Sequence, residues 1–209
     1  MPRLVTFGCS FVYGHGLPDC HIPPNIPALQ PSKMGWANMV ADKLGIPCLN
    51  LANPEIGNLA ILMKVLNAEL RPDDIVVTAF SYFDRYFCHQ FVDKEGKGVL
   101  INKDTPEHKR ILMSEIDEPF LEEKYYWHNW LAIQHVELYL GSKNIKNFSF
   151  HGVQNGCEQK PPASLELNNF WNDMILVTCD YALDGRHPGM ESNRLQAEQI
   201  YNRIQHELR

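Results

Sequence analysis

The feature that most constrains the fold is an alternation of short β-forming apolar runs with longer stretches of helical periodicity. Apolar runs cover residues 3–8, 46–52, 74–83 and 145–153. Strands that alternate with helices favour βαβ units, which place a parallel sheet between two layers of helices. The sequence therefore predicts a three-layer α/β/α sandwich with a parallel sheet of about five strands in flavodoxin-like order.

Four segments have the 3.6-residue apolar spacing of amphipathic helices. They cover residues 35–45, 57–74, 121–141 and 190–208. Gly45 and Gly141 fit helix C-caps, and Pro72 is expected to stop the second helix. Residues 172–179 fit either a short strand or the end of a helix.

Two segments do not fit the alternation. Residues 17–34 contain five prolines and predict an irregular loop, long enough to cover a site. Residues 84–121 predict an insertion near the site, with a turn at 93–98 and a short helix within 104–121. We expect residues 1–209 to form a single domain that carries this insertion.

Composition and charge exclude several classes of protein. The net charge is −6, so the chain has no basic footprint for nucleic acid or an anionic membrane. No apolar run approaches the roughly 20 residues that span a bilayer. The N-terminus resembles a first strand more than a signal peptide, and the default expectation is a cytoplasmic protein.

The six cysteines form no CxxC pair, so a structural zinc site is not expected. Without a secretion signal, free thiols are favoured over disulfides.

The stretch LVTFGCSFVYG (4–14) ends an apolar strand in Gly-Cys-Ser. Ser10 is a candidate nucleophile just past the carboxyl end of a strand, where sites form in such folds. Cys9 is the rival, but its side chain points in a different direction, and a buried thiol is the favoured interpretation. The spacing does not match the G-x-S-x-G elbow of α/β-hydrolases.

A serine nucleophile needs a base, and the base needs a group that orients it. DGRHPG (184–189) places Asp184 three residues before His187, so that the carboxylate reaches the imidazole of the same segment. The simpler interpretation is a turn before a helix, where these residue types are common.

These segments together resemble the SGNH (GDSL-like) hydrolases. TFGCSFVYGHG is similar to the family's first block, GWANMVADKLGIPCLNLANPEIGN to the next helix, strand and second block, and DGRHPG to its last block, D-x-x-H-P. The matches follow the family order and span nearly the whole chain. The resemblance implies that Ser10 is the nucleophile, His187 the general base and Asp184 its orienting carboxylate.

In this family the oxyanion hole combines the serine N–H, a second-block glycine N–H and a third-block asparagine. Gly57 is the natural glycine, although counting from Asn50 places Glu55 at the position where the glycine often falls. The third block reads AFSYFDRYF and has no asparagine. The replacement donors considered are Ser81, Tyr82 and Asn58.

Three other features each have two interpretations. Arg85 follows the third strand and either binds a substrate anion or pairs with an acid. The aromatic run 82–91 either lines an acyl or sugar pocket or packs within the insertion, and packing is slightly favoured. His15 is a possible substrate contact, but solvation in a loop is favoured.

The resemblance implies a serine esterase that cleaves a small acyl ester, possibly acetyl, from a small molecule or a glycan. No metal or organic cofactor is expected. The alternative is a catalytically degenerate SGNH-fold protein that binds a ligand or glycan. Transfer of the acyl group to an acceptor other than water stays open, and the pattern carries no information on oligomeric state.

Overall fold

The chain folds around a four-stranded parallel sheet in a computed structural model, which describes residues 1–83, 85–92, 98–102, 118–153, 161–174 and 176–208. For 85–92, 98–102 and 118–125 it describes the backbone alone. In chain order the elements are β1 (Leu4–Gly8), α1 (Ser10–Tyr13), β2 (His21–Ile22), β3 (Ile26–Pro27), α2 (Trp36–Leu44), β4 (Cys48–Asn50), α3 (Asn58–Asn67), β5 (Ile75–Phe80), β6 (Arg85–Val92), β7 (Gly98–Asn102), α4 (Glu118–Ser142), β8 (Lys146–His151) and α5 (Met190–Glu207).

The sheet order is β4-β1-β5-β8, and all three pairings are parallel. This is the predicted flavodoxin-like order, with β1 and β5 in the centre. Every residue of these two strands is buried, because both faces of the sheet are covered. The carboxyl ends of β1, β5 and β8 therefore meet along one edge of the sheet.

Helices cover the two faces in separate layers, as predicted. Neighbouring strand residues such as Val76 and Val77 point to opposite faces and belong to different cores. One core joins the sheet to α2 and α5, which pack against each other. The other joins it to α3 and α4. The three-layer α/β/α architecture is confirmed.

The described residues form a sheet of four strands where about five were predicted, because the described chain beyond β8 pairs with the sheet only briefly. Ser149 N–H donates to Asn169 O at 2.9 Å, and Trp171 N–H donates to Ser149 O at 2.7 Å. These bonds make one isolated parallel bridge at Phe170. The Glu137 carboxylate on α4 also binds the Asn169 N–H and its neighbour. The described residues of 172–179 form no regular strand or helix.

The second predicted helix ends earlier than expected. Helix α3 ends at Asn67, because Ala68 takes an extended conformation with ψ 141°. A turn over residues 71–74 then leads into β5, where Asp74 N–H donates to Arg71 O at 3.1 Å. Pro72 lies inside this turn and does not stop the helix itself.

In the predicted insertion, β6 and β7 pair as an antiparallel hairpin. The predicted turn at 93–98 and short helix within 104–121 fall largely on residues 93–97 and 103–117, outside the described part of the chain. Helix α4 begins at Glu118. In the proline-rich loop, β2 and β3 form a short antiparallel pair.

Among the described helices, none has both the length and the apolar character needed to cross a membrane.

His151, the last residue of β8, is buried in an aromatic box. Its ring centroid lies 4.9 Å from that of Phe170 and 5.4 Å from those of Phe83 and Trp130. Within the described part of the chain, neither ring nitrogen has a hydrogen-bond partner. Burial disfavours the charged imidazolium and lowers the pKa of His151 to about 4.

This burial predicts a loss of stability in acid. Because the folded-state pKa lies below the ordinary value of 6.5, the unfolded state binds the proton more tightly. The penalty is negligible above pH 6.5 and grows to about 3 kcal/mol as the pH falls to about 4. Urea unfolding at pH 7 and pH 4 should show that His151→Phe loses about 3 kcal/mol less than the wild type does. The exposed His206, replaced by glutamine, should keep the wild-type difference; an unchanged difference in His151→Phe would contradict the prediction.

Candidate active site

Ser10 occupies the sharp turn that leads from β1 into α1. It is the first residue of α1, follows the N-cap Cys9, and is buried. The turn requires glycine at position 8, since a Cβ there would lie 2.3 Å from Val12 Cγ2 and 2.7 Å from Ala79 O. The Cys9 side chain is fully buried in the structure.

His187 lies within hydrogen-bond reach of Ser10, although 177 positions separate them in the sequence. The distance from His187 Nε2 to Ser10 Oγ is 2.9 Å. On the other side of the ring, His187 Nδ1 is hydrogen-bonded to Asp184 Oδ2. This chain of contacts has the order hydroxyl, imidazole, carboxylate that a serine nucleophile requires.

The Asp184 carboxylate is held in place by the backbone of its own turn. Its Oδ1 accepts the N–H groups of Arg186 and His187, each at 3.0 Å. Burial alone would raise the pKa of Asp184, but these two N–H groups and the His187 imidazole outweigh it and lower the pKa to about 2. The carboxylate is therefore ionised at neutral pH and is able to accept a proton from His187 Nδ1.

The turn that carries Asp184 and His187 is closed at its base by Asp180. Gly189 N–H donates to Asp180 O at 3.0 Å, and Ala182 N–H donates to His187 O at 2.8 Å. The Asp180 carboxylate accepts the N–H of Ser192, at 2.8 Å, in the first turn of α5. The side chain of Asp180 thus caps α5, while its backbone carbonyl closes the loop.

This loop docks directly on the segment that follows Ser10. Leu183 N–H donates to Gly16 O at 2.9 Å. A Cβ on Gly16 would lie 2.8 Å from Asp184 Cγ, so a larger residue would displace the carboxylate. Gly16 also has a φ of +86°, a conformation that favours glycine.

His15 is part of this site, so the expectation of solvation in a loop was wrong. It is 9% exposed, and its ring centroid lies 4.6 Å from that of His187. The reason is local: Gly14 and Gly16 both have positive φ and fold the segment back over the turn. Burial lowers the pKa of His15, and the neighbouring His187 adds to this effect.

Comparison with known proteins reveals likeness only at the level of structure. No family model matches the chain, and no curated protein does. A carbohydrate esterase whose active site displays divergent catalytic and non-catalytic binding functions superposes with a TM-score of 0.64 at 12% identity, over 98% of this chain. The acetyl xylan esterase Est2A of the rumen bacterium Butyrivibrio proteoclasticus gives 0.60 at 13% identity, over 99%. In both cases this chain spans 64% of the other protein.

A third solved structure is similar over its full length. The lipase Lip_vut3 from a goat rumen metagenome superposes with a TM-score of 0.54 at 11% identity, over 97% of each chain. This chain has the SGNH-hydrolase fold. At such low identity the likeness extends to the fold and no further.

The second block of the SGNH fold lies beside the Ser10 turn. Asn53 N–H donates to Gly8 O at 3.1 Å, and Asn50 Nδ2 donates to Val12 O at 2.8 Å. Glu55 has a φ of 61°, which is uncommon for a residue other than glycine. Position 55 is also the one where counting places the family glycine. Gly57 is buried and forms the N-cap of α3.

Asn58 joins the second block to the third. Its Oδ1 accepts the Ser81 N–H at 2.6 Å, and its Nδ2 donates to Ser81 O at 3.1 Å and to Asn129 Oδ1 at 2.7 Å. Asn129 on α4 donates in turn to Phe83 O at 2.8 Å. The Asn58 amide and the Ser81 N–H are thus engaged with each other. Sequence reasoning missed Asn129, because nothing in its helix distinguishes it from a surface amide.

Two predicted site residues remain, Tyr82 and Arg85. Tyr82 lies beside the triad through Phe11, whose ring centroid is 6.4 Å from that of Tyr82 and 5.3 Å from that of His187. Arg85 begins β6, and its side chain lies outside the described part of the chain. Residues 84–91 make up most of the aromatic run 82–91, and their side chains also lie outside the described part of the chain.

Proposed function

We propose that this protein is a serine hydrolase that cleaves small acyl esters through Ser10, His187 and Asp184. The observation that carries the proposal is the 2.9 Å contact from His187 Nε2 to Ser10 Oγ, with Asp184 on the opposite ring nitrogen. Because Asp184 holds a proton on Nδ1, the lone pair of Nε2 faces the Ser10 hydroxyl. This is the tautomer that a general base needs.

In the proposed reaction His187 Nε2 takes the Ser10 proton while Oγ attacks the ester carbonyl. The tetrahedral intermediate collapses when the C–O bond to the alcohol breaks, and His187 returns the proton to the departing alkoxide. The acyl group stays on Ser10. Water then attacks the acyl-enzyme with His187 again as the base, which releases the acid and restores the hydroxyl.

The oxyanion is proposed to bind to backbone N–H groups. Ser10 begins α1, so its N–H has no acceptor within the helix, and the helix dipole favours negative charge there. Gly57 at the start of α3 supplies the second proposed N–H. The side chain of Tyr82, which lies beside His187 through the shared neighbour Phe11, is the third proposed donor.

The substrate proposed is an acetyl or similarly small acyl ester carried by a sugar. Phe11 lies against His187, Tyr82 lies against Phe11, and both residues are half-buried. Aromatic faces pack well against the C–H faces of sugar rings. The two carbohydrate esterases with a similar fold motivate the same choice, although their identity to this chain is low.

A fluorophosphonate probe tests the proposed nucleophile. Oγ attacks phosphorus and fluoride departs, so an activated serine acquires a stable adduct. We expect stoichiometric labelling of the folded wild type, with the adduct on the peptide that contains Ser10. A panel of p-nitrophenyl acetate, butyrate and octanoate beside acetylated xylo-oligosaccharides should show the highest kcat/KM on acetyl esters.

One observation favours the binding alternative. The described residues of the third block contain no asparagine, and the Asn58 amide is used inside the fold. A protein that binds sugar esters without turnover would remain unlabelled and would hydrolyse no member of the panel while binding oligosaccharide in calorimetry. That combined result would contradict the proposed hydrolase and support a protein that binds sugar esters.

A further inference from the structure

His15, Asp184 and His187 bring three metal-ligating side chains together over the triad. One donor atom from each lies within 4.8 Å of the others, and the described residues contain no other such group of three. The donors come from two segments far apart in the sequence, which the contact between Leu183 and Gly16 holds together.

The His15 imidazole contributes a nitrogen that the proposed reaction does not use. Within the described part of the chain its Nε2 is buried and has no hydrogen-bond partner. Buried polar atoms almost always have a partner, so an unsatisfied nitrogen beside the reacting groups calls for an explanation. A neutral imidazole nitrogen is the most common protein ligand for transition metals.

Two imidazoles and one carboxylate match a donor set that zinc uses in proteins, with a fourth position left for water. Zinc bonds of about 2.0–2.2 Å place tetrahedral donors roughly 3.4 Å apart. The three donor atoms lie within 4.8 Å of one another, and no hydrogen bond to His15 Nε2 opposes the small rotation of its ring that would complete the site.

We propose that His15, His187 and Asp184 form a binding site for a zinc-like divalent transition metal, whose occupation withdraws His187 from Ser10. Metal binding itself stands on the geometry of the three side chains. The resulting inhibition rests on the proposed function, in which His187 is the general base. A ring nitrogen of His187 that coordinates the metal can no longer accept the Ser10 proton. The site is thus an inhibitory one and supplies no cofactor to the reaction.

The chemistry of the three donor atoms predicts which metal ions bind and inhibit. Imidazole suits Zn²⁺, Cu²⁺ and Ni²⁺, whereas Mg²⁺ and Ca²⁺ prefer sets of oxygen ligands. Zn²⁺ should therefore bind and inhibit at concentrations at which Mg²⁺ has no effect.

Calorimetry with the full chain, free of any histidine tag, tests the binding. Zn²⁺ is titrated into the wild type, His15→Gln, His15→Phe, the control His206→Gln and Ser10→Ala. We expect one zinc per chain in the wild type, His206→Gln and Ser10→Ala, and at least ~10-fold weaker binding in both His15 variants. Circular dichroism confirms that each variant is folded; His15→Gln, which is closer to histidine in size, decides the result if His15→Phe does not fold.

Labelling by the fluorophosphonate separates this inference from the proposed function. Zn²⁺ should block labelling of the wild type, EDTA should restore it, and His15→Gln should need at least ~10-fold more Zn²⁺ for the same block. Folded wild type that binds no zinc, or a folded His15→Gln that binds it as tightly as the wild type, would overturn the site. Zinc binding that depends on His15 in a protein that the probe never labels would support the site and overturn the hydrolase.

Discussion

Replacement of Ser10 with alanine is expected to remove ester hydrolysis almost completely. The substitution deletes the oxygen that His187 Nε2 contacts at 2.9 Å, so that no covalent intermediate can form. In serine hydrolases the loss of the nucleophile lowers kcat by on the order of 10⁵–10⁶-fold. Turnover of p-nitrophenyl acetate should fall to the rate without enzyme, and labelling by the fluorophosphonate should disappear.

Cys9→Ala is the matched control for Ser10→Ala. The two residues are adjacent, but Cys9 is fully buried, and its substitution should leave labelling and turnover close to the wild type. A folded Ser10→Ala that retains more than about a tenth of the activity would exclude Ser10 as the nucleophile. Loss of activity in Cys9→Ala without loss of structure would point to the thiol instead.

Asp184→Asn is expected to lower kcat by roughly 10⁴-fold while the fold is kept. The asparagine Oδ1 can still accept the N–H groups of Arg186 and His187, which fixes the amide with its NH₂ towards His187 Nδ1. An NH₂ group cannot accept the Nδ1 proton, so the imidazole carries its proton on Nε2 instead. Nε2 then has no lone pair for the Ser10 hydroxyl.

The kinetics of Asp184→Asn and a distant control separate this effect from damage to the loop. Thermal unfolding should change little, and labelling should slow in proportion to kcat. Asp173→Asn removes an exposed carboxylate that pairs with Arg203 on α5, and its kcat should equal that of the wild type. A decrease of less than about 10-fold in Asp184→Asn would show that Asp184 does not set the tautomer.

The parts of the fold that depend on local pattern could be predicted from the sequence. Continuous apolar runs identified β1 and β5 because both of their faces are covered, and helical spacing identified α2 and α5. The ends of helices and strands that depend on tertiary contacts could not be predicted. Helix α3 ends five residues before Pro72, and the described residues of 172–179 form neither the strand nor the helix end that the sequence allowed.

The same distinction between local sequence pattern and tertiary contacts applies to the residues of the candidate site. Ser10, Asp184 and His187 stood out because their residue types and short-range spacing carry chemical meaning. His15 did not, since its burial depends on positive φ at Gly14 and Gly16 and on the arrival of a loop from the other end of the sequence. Asn129 depends on α4 packing beside α3, which no local pattern reports.

The docking of the 180–189 loop on Gly16 has a consequence for biosynthesis. Ser10 follows the first strand of the sheet, whereas Asp184 and His187 are made after all four of the described strands. The loop is closed by a carboxylate that caps α5, and α5 is tied to α2 by the bond from Trp36 N–H to Asn193 Oδ1 at 3.0 Å. A growing chain can therefore assemble the four described strands first, and His187 reaches Ser10 only when α5 docks. In the proposed hydrolase, activation of Ser10 is therefore a late event of folding.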